Sequence, residues 1–183
     1  MREMTAANLR SAFGGESMAH MRYKVWAVKA ESDGFPNVAR LFRAIARAEE
    51  AHATGHFKVM CKVGGGFPVT AGGGFGLAGT SENLAGAIEG ENFEVNEMYP
   101  SYLDVARAQD EKGAVQSMSW AVAAEKIHAD MYAQAKRAVD AGKDMELGTV
   151  QICTRCGHTL EADEAPDKCP VCSARKSFYV SFV

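Results

Sequence analysis

Four stretches of the chain carry apolar residues at steps of three and four, the spacing that lines one face of a helix. The first runs through Leu9, Ala12, Phe13, Glu16, His20, Tyr23, Ala27 and Ala30. The second runs through Val38, Leu41, Ile45, Glu49, His52, His56, Val59 and Val63. The third runs through Leu84, Ile88, Glu91, then Glu94 or Val95, Met98, Tyr102 and Val105. The fourth runs through Val115, Met118, Val122, Glu125, His128, Tyr132, Ala135 and Val139. The pattern predicts four long helices, hence an all-α fold.

Breaks separate the stripes. Ser32-Asp33-Gly34 before Pro36 ends the first helix and starts the second. Residues 64–79, GGGFPVTAGGGFGLAG, form a long glycine-rich connection. A crossover of this length runs from one end of a bundle to the other and makes helices two and three parallel neighbours, as in ferritin-like folds. Pro100 predicts a kink in the third helix. Gly113 predicts a tight turn into the fourth, and Ala141-Gly142-Lys143-Asp144 ends it. The expected organisation is a four-helix bundle over residues 1–142, a linker over 143–151 and a small domain over 152–183.

The stripes are interrupted by charge at their centres. Glu49-x-x-His52 and Glu125-x-x-His128 each put a carboxylate and an imidazole on one helix face. Glu16, Glu91 and Glu94 join them from the other two helices. A buried carboxylate without a partner costs several kcal/mol, so such residues are paired, protonated or metal-bound. A lone Glu-x-x-His reads as a solvated helix face. Five glutamates and two histidines inside apolar stripes read as a carboxylate-bridged di-metal site.

Composition narrows the alternatives. Of 183 residues 47% are hydrophobic, enough for a substantial core, and the formal net charge is −3. With a pI near 6.0, broad electrostatic binding to nucleic acid or an anionic membrane is not expected. No apolar run approaches the roughly 20 residues of a membrane span, and the first residues have no signal-peptide core. A cytoplasmic location is expected.

Cysteine usage adds a second centre. Cys153, Cys156, Cys169 and Cys172 form two Cys-x-x-Cys pairs, a spacing that suits a tetrahedral iron or zinc site. Each pair makes a knuckle whose backbone amides point at sulfur. A domain of about 32 residues is too small for a core of its own and depends on its metal. Cys61, alone, reads as a small buried hydrophobe, and Trp26 and Trp120 as core or interface residues. Glu50 and Glu97 fall off the stripes and read as surface or flanking positions. His20 and His56, each one turn past a candidate ligand, read as packed or partly exposed histidines or as neighbours of the site.

Taken together, GESMAHMRY from Gly15, AEEAH ending at His52, GENFEVNEMYP (90–100), AEKIH (124–128) and the CTRCG and CPVC knuckles resemble the rubrerythrin family over nearly the whole chain. The resemblance implies a ferritin-like di-iron bundle joined to a rubredoxin-like iron domain, with iron rather than zinc in the four-cysteine site except where recombinant expression loads zinc. It implies Glu16, Glu49, His52, Glu91, Glu94, Glu125 and His128 as di-iron ligands and catalytic residues. It also implies that metal shifts between Glu94 and His52 with redox state, which makes Glu49/His52 the mobile half of the site and Glu125/His128 the fixed half. Tyr23, Tyr102 and Tyr99 are candidates to hydrogen-bond the ligands or bound oxygen, or else pack the core. His158 departs from the aromatic residue, usually tyrosine, that many members carry after the first knuckle.

The implied activity is reduction of hydrogen peroxide to water in oxidative-stress defence. Electrons would pass through the rubredoxin-like site from a reductase or rubredoxin, an NAD(P)H-linked peroxidase. Iron storage with ferroxidase chemistry is the alternative, and a zinc-stabilised adaptor a third. From Glu125 to Ala141 a helix covers about 24 Å at about 1.5 Å per residue. That length predicts a head-to-tail homodimer or higher oligomer, in which one chain's cysteine site meets the other's bundle.

Overall fold

The computed structural model describes residues 1–183. Helix α1 spans Glu3–Ser32, α2 Pro36–Val59, α3 Thr80–Phe93, α4 Tyr99–Ala108 and α5 Lys112–Asp140. Strands β1 (Val150–Cys153), β2 (Thr159–Glu161) and β3 (Tyr179–Phe182) form a sheet of order β2-β1-β3, antiparallel throughout. No helix is long and apolar enough to cross a membrane.

The glycine-rich connection runs back along α1. Ser11 donates to the Thr70 carbonyl, Arg22 to that of Gly74 and Trp26 Nε1 to that of Gly76. At the far end, Asp33 accepts from both the backbone amide and the hydroxyl of Thr80, which starts α3. The crossover makes α2 and α3 parallel, as expected, but they are not neighbours. Helix α1 packs on α2, α3 on α5 and α2 on α5, so α2 and α3 lie diagonally across the bundle. This diagonal places one glutamate from each of α1, α2, α3 and α5 around one axis.

Pro100 does not kink a continuous α-helix. Instead the third helix opens into a π-turn, Glu94–Met98, and α4 starts just before the proline. The Tyr99 amide bonds the Glu94 carbonyl, five residues back. A proline has no N–H to give and its ring crowds the carbonyl four residues back, so the wider turn absorbs the misfit. The extra residue shifts the inward face: Tyr99 is fully buried, whereas Tyr102 is half-buried and bonds Ser11. The turn into α5 is made by Asp110, at φ 54°, and Gly113 lies inside the first turn of α5 against Val59. Cys61 is exposed, not buried, because α2 ends at Val59 and the chain has already turned outward.

After Gly142 closes α5, the chain returns along α2. Asp144 caps the start of α2, accepting from the amides of Asn37 and Val38. Asn37 donates to the Met145 carbonyl and Arg40 to that of Leu147. Met145 is buried in the bundle core, and β1 begins at Val150, inside the stretch expected to be linker.

The larger core half holds an aromatic cluster. Phe42 is fully buried, with ring centroids 5.9 Å from Tyr23, 6.0 Å from Trp26 and 5.1 Å from Tyr132. Replacing Phe42 by Ala removes the centre of this cluster and is expected to cost about 3–5 kcal/mol, measured as a lower denaturation midpoint in guanidinium for the metal-loaded protein.

Candidate metal centre and its docked cysteine domain

Glu16, Glu49, Glu91 and Glu125 enter the bundle from α1, α2, α3 and α5, all fully or almost fully buried. Their ligand atoms form two overlapping groups. Glu16, Glu49, His52 and Glu125 make one, and Glu49, Glu91, Glu125 and His128 the other, with atoms in each group within 4.8 Å of one another. Glu49 and Glu125 belong to both. His52 and His128 stack with ring centroids 5.9 Å apart.

The outer hydrogen bonds determine the tautomers. His128 Nε2 lies 2.9 Å from Thr159 Oγ1, and that hydroxyl donates to the Gly157 carbonyl, so Nε2 carries the proton. His52 Nε2 lies 3.1 Å from the Cys156 carbonyl, which can only accept. Each ring therefore turns Nδ1 inward. His52 Nδ1 is 2.7 Å from Glu125 Oε1 and 3.0 Å from Glu49 Oε2, and His128 Nδ1 is 2.7 Å from Glu125 Oε2. Lone pairs this close need a shared proton or a cation between them.

Each of the four glutamates also leaves one buried oxygen without a hydrogen-bond donor: Glu16 Oε2, Glu49 Oε1, Glu91 Oε2 and Glu125 Oε1. Burial, and then the Glu125 charge, pushes Glu91 up to about 7. Burial opposes charge on His52 and His128, but Glu125 and the other carboxylates outweigh it and hold both imidazoles well above their ordinary range. The cluster draws positive charge from every side. Four carboxylates and two neutral imidazoles suit two divalent cations in charge, number and donor type.

Two tyrosines steady the carboxylates. Tyr23 donates to Glu91 Oε1 at 2.6 Å, and Tyr99 donates to Glu16 Oε1. Burial and the adjacent carboxylates hold both phenols well above their usual range, so they remain donors. Glu94, on the π-turn, joins neither group of ligand atoms and is half-buried. Burial and then the Glu16 charge raise its carboxyl well above the ordinary range. Glu50 and Glu97 are exposed, and His20 bonds the Ala46 carbonyl. His56 is fully buried between Ser117 and Tyr99, outside both groups. Burial holds it neutral, down to about 4.

The four cysteines are free thiols. Cys153 and Cys172 sulfurs lie 3.7 Å apart, Cys156 and Cys169 sulfurs 3.6 Å apart. Tetrahedral bonds of about 2.3 Å to sulfur set neighbouring sulfurs about 3.8 Å apart, so the thiols already have the shape of the site. The Cys156 thiol and, against the cost of burial, the amides of Arg155 and Cys156 hold the Cys153 thiol down to about 5. These amides are the knuckle hydrogen bonds expected from the sequence. His158 bonds Tyr179 Oη at 2.9 Å beside the cluster.

The two centres meet within one chain. Helix α5 carries the chain away from the di-metal cluster as far as Asp140. The return of residues 142–149 along α2 brings Cys156 to within one hydrogen bond of His52. Gly157 allows that contact, since a Cβ there would lie 1.9 Å from His52 Nε2, and its φ of +76° is one that side chains resist. Spacing alone did not reveal Gly157 or Thr159 as parts of this site. A glycine after a Cys-x-x-Cys pair already has a role in the knuckle, and nothing local marks its second one. Gly157→Ala is expected to undock the cysteine domain while both metal sites still fill, seen as a larger radius of gyration by X-ray scattering with unchanged metal content.

Comparison with known proteins agrees with this geometry. The Rubrerythrin family model matches residues 7–136, and the model for the rubrerythrin rubredoxin-like domain matches residues 151–180. The chain is 46% identical over 179 residues to Rubrerythrin-2 of Clostridium acetobutylicum, covering 98% of this chain and 97% of that one. It is 32% identical to the rubrerythrin of Nitratidesulfovibrio vulgaris, covering 96% and 92%. Among solved structures, nigerythrin in its mixed-valence and all-ferrous states superposes with a TM-score of 0.85 at 28% identity, covering 100% of this chain and 88% of that one. With two centres of matching donor chemistry, a di-iron site in the bundle and one iron in the four-cysteine site, the chain belongs to the rubrerythrin family of oxidoreductases.

Proposed function

We propose that this protein reduces hydrogen peroxide to water, drawing electrons through its four-cysteine site from an NAD(P)H-linked donor such as a reductase or a rubredoxin. The observation that carries this reading is the hydrogen bond of His52 Nε2 to the Cys156 carbonyl. It joins a residue that bears one thiolate to a residue whose other nitrogen faces the di-iron site. When bound, two ferrous ions supply two electrons together and polarise both peroxide oxygens.

In this reading Glu16, Glu49, His52, Glu91, Glu125 and His128 hold the pair of irons. The Cys156 carbonyl and Thr159 fix the ring orientation of the two histidines, as outer partners of metal-bound imidazoles do. Tyr23 and Tyr99 keep Glu91 and Glu16 turned toward the metals by donating to their other oxygens. Burial of the whole cluster keeps bulk water from intercepting the electrons. Glu94 is a carboxylate in reserve. Its strongest charged neighbour is Glu16, which shares a ligand group with His52. In this reading Glu94 and His52 would be alternative donors to one metal, with carboxylate favoured as the metal's charge rises. The electron path needs no second copy of the chain.

The test is anaerobic reduction of the iron-loaded protein followed by addition of peroxide in stoichiometric amounts, with both centres followed by absorbance. Rapid oxidation with two electrons consumed per peroxide is expected, the four-cysteine centre reoxidising through the bundle. Slow reaction with peroxide and faster reaction with oxygen would instead support ferroxidase and iron-storage chemistry.

A further inference from the structure

An unbroken line of hydrogen bonds leads from the surface to the carboxylate cluster by a route separate from the hydrogen bond between His52 and the Cys156 carbonyl. It starts in a groove of about 580 Å³ between α2, α5 and the first cysteine knuckle, lined in part by Gly55, Gln116, Ser117, Trp120 and Arg155. Ser117 is 8% exposed there. Its hydroxyl lies 2.9 Å from His56 Nδ1, and His56 Nε2 lies 2.9 Å from Tyr99 Oη. Tyr99 donates onward to Glu16 Oε1.

The proton positions follow from the acceptor at the inner end. Tyr99 has one hydroxyl hydrogen and gives it to Glu16. It therefore accepts from His56, so Nε2 carries the ring proton. Nδ1 is then bare and accepts the Ser117 hydroxyl hydrogen, which leaves the Ser117 oxygen free to accept from water in the groove. All donors point inward. Apolar packing would have filled this space at no desolvation cost, whereas a fully buried imidazole between two hydroxyls is expensive unless both nitrogens are used. Gly55 keeps the outer end open, since a Cβ there would stand 3.2 Å from Ser117 Oγ.

We propose that Ser117, His56 and Tyr99 form a proton relay from the groove to Glu16. The inference rests on the peroxide-reductase reading, because turning one peroxide into two waters consumes two protons along with the two electrons already accounted for. In each transfer, a groove water gives a proton to Ser117 as the Ser117 hydrogen moves to His56 Nδ1. The Nε2 proton moves to Tyr99, and the Tyr99 hydrogen moves to Glu16 Oε1. One proton leaves the groove, one arrives at Glu16 and no electrons move. A half-turn of the ring and rotation of the two hydroxyls reset the line. Two transfers serve one peroxide. Electrons thus enter past His52 and protons past His56, one turn apart on the same helix.

The relay is tested in two ways. Zinc-loaded protein labelled with 15N-histidine has no turnover, and NMR then reads exchange of the His56 ring proton with water. Ser117→Ala is expected to slow that exchange at least ten-fold and Ser117→Thr to restore it, with zinc content unchanged. In the iron-loaded protein, Ser117→Ala and His56→Gln are expected to slow peroxide reduction at least ten-fold, within the range ascribed to positioned proton transfer, without changing metal content. Unaltered exchange in Ser117→Ala overturns the relay, as does slowed exchange with an unaltered rate of peroxide reduction. A wild-type protein that does not reduce peroxide overturns the function proposed above, and the exchange measurement still decides whether protons travel by Ser117.

Discussion

Carboxylates crowded into a protein interior repel one another and lose the hydration that water would give them. Glu16, Glu49, Glu91 and Glu125 are in that position, with two histidine nitrogens turned toward them. Removing a charge from water costs several kcal/mol even after relaxation, and one carboxylate does not relieve another. Two divalent cations balance four carboxylates and give each orphaned oxygen a partner. Much of the fold is explained by this need. Long helices carry one glutamate each to the same level. The crossover along α1 puts α2 and α3 diagonally opposite, so that the four donors close around an axis. The π-turn before Pro100 brings Tyr99 rather than Tyr102 to Glu16.

The cysteine domain is tied to that centre by groups with double duties. The carbonyl of Cys156 and the hydroxyl of Thr159 complete the hydrogen bonding of the two histidines, which fixes the tautomer of each. The same contact couples two metal sites with different chemistry. The cysteine site is preshaped by its knuckles to hold one metal in four thiolates. The bundle site pairs two metals and is sealed from water. The domain's position depends on chain geometry at several points along α2, from the Asp144 cap at its start to Gly157 at His52. Docking is therefore a property of the whole return path, and one added methyl group at Gly157 is enough to oppose it.

Much of the molecule was legible in the sequence. Periodicity located the helices, and charged residues inside apolar stripes located the buried carboxylate and histidine cluster, because both signals are local and repeat every turn. The cysteine spacing was equally local. Less legible were features that depend on what lies opposite. Diagonal placement of α2 and α3 follows from the course taken by the crossover, which length alone does not fix. Pro100 signalled an irregularity but not its kind, and the π-turn moved the inward tyrosine by a register step. Cys61 looked like a core residue because free cysteine is among the most buried residue types, but it lies past the end of α2. His56 had the spacing of a neighbour of the site, but its partners Ser117 and Tyr99 come from other helices. The path of residues 142–149 carries no periodic signal, so the closeness of the two centres within one chain was not legible.

The central claim is that cations hold the buried carboxylates together. It is tested most directly by thermal unfolding of metal-free and ferrous-loaded protein, under anaerobic conditions, from pH 5 to pH 8. In the metal-free protein Glu91 is raised to about 7 against an ordinary 4.5. A carboxyl with a raised folded pKa binds more protons folded than unfolded, so its stabilising effect is lost as pH rises from about 4.5 to about 7. Bound metal replaces those protons and competes with them less as pH rises. The account predicts that the loaded protein melts higher and that the gap widens steadily toward pH 8, saturating at two irons per bundle. Equal melting temperatures, or a gap that does not change with pH, would contradict it.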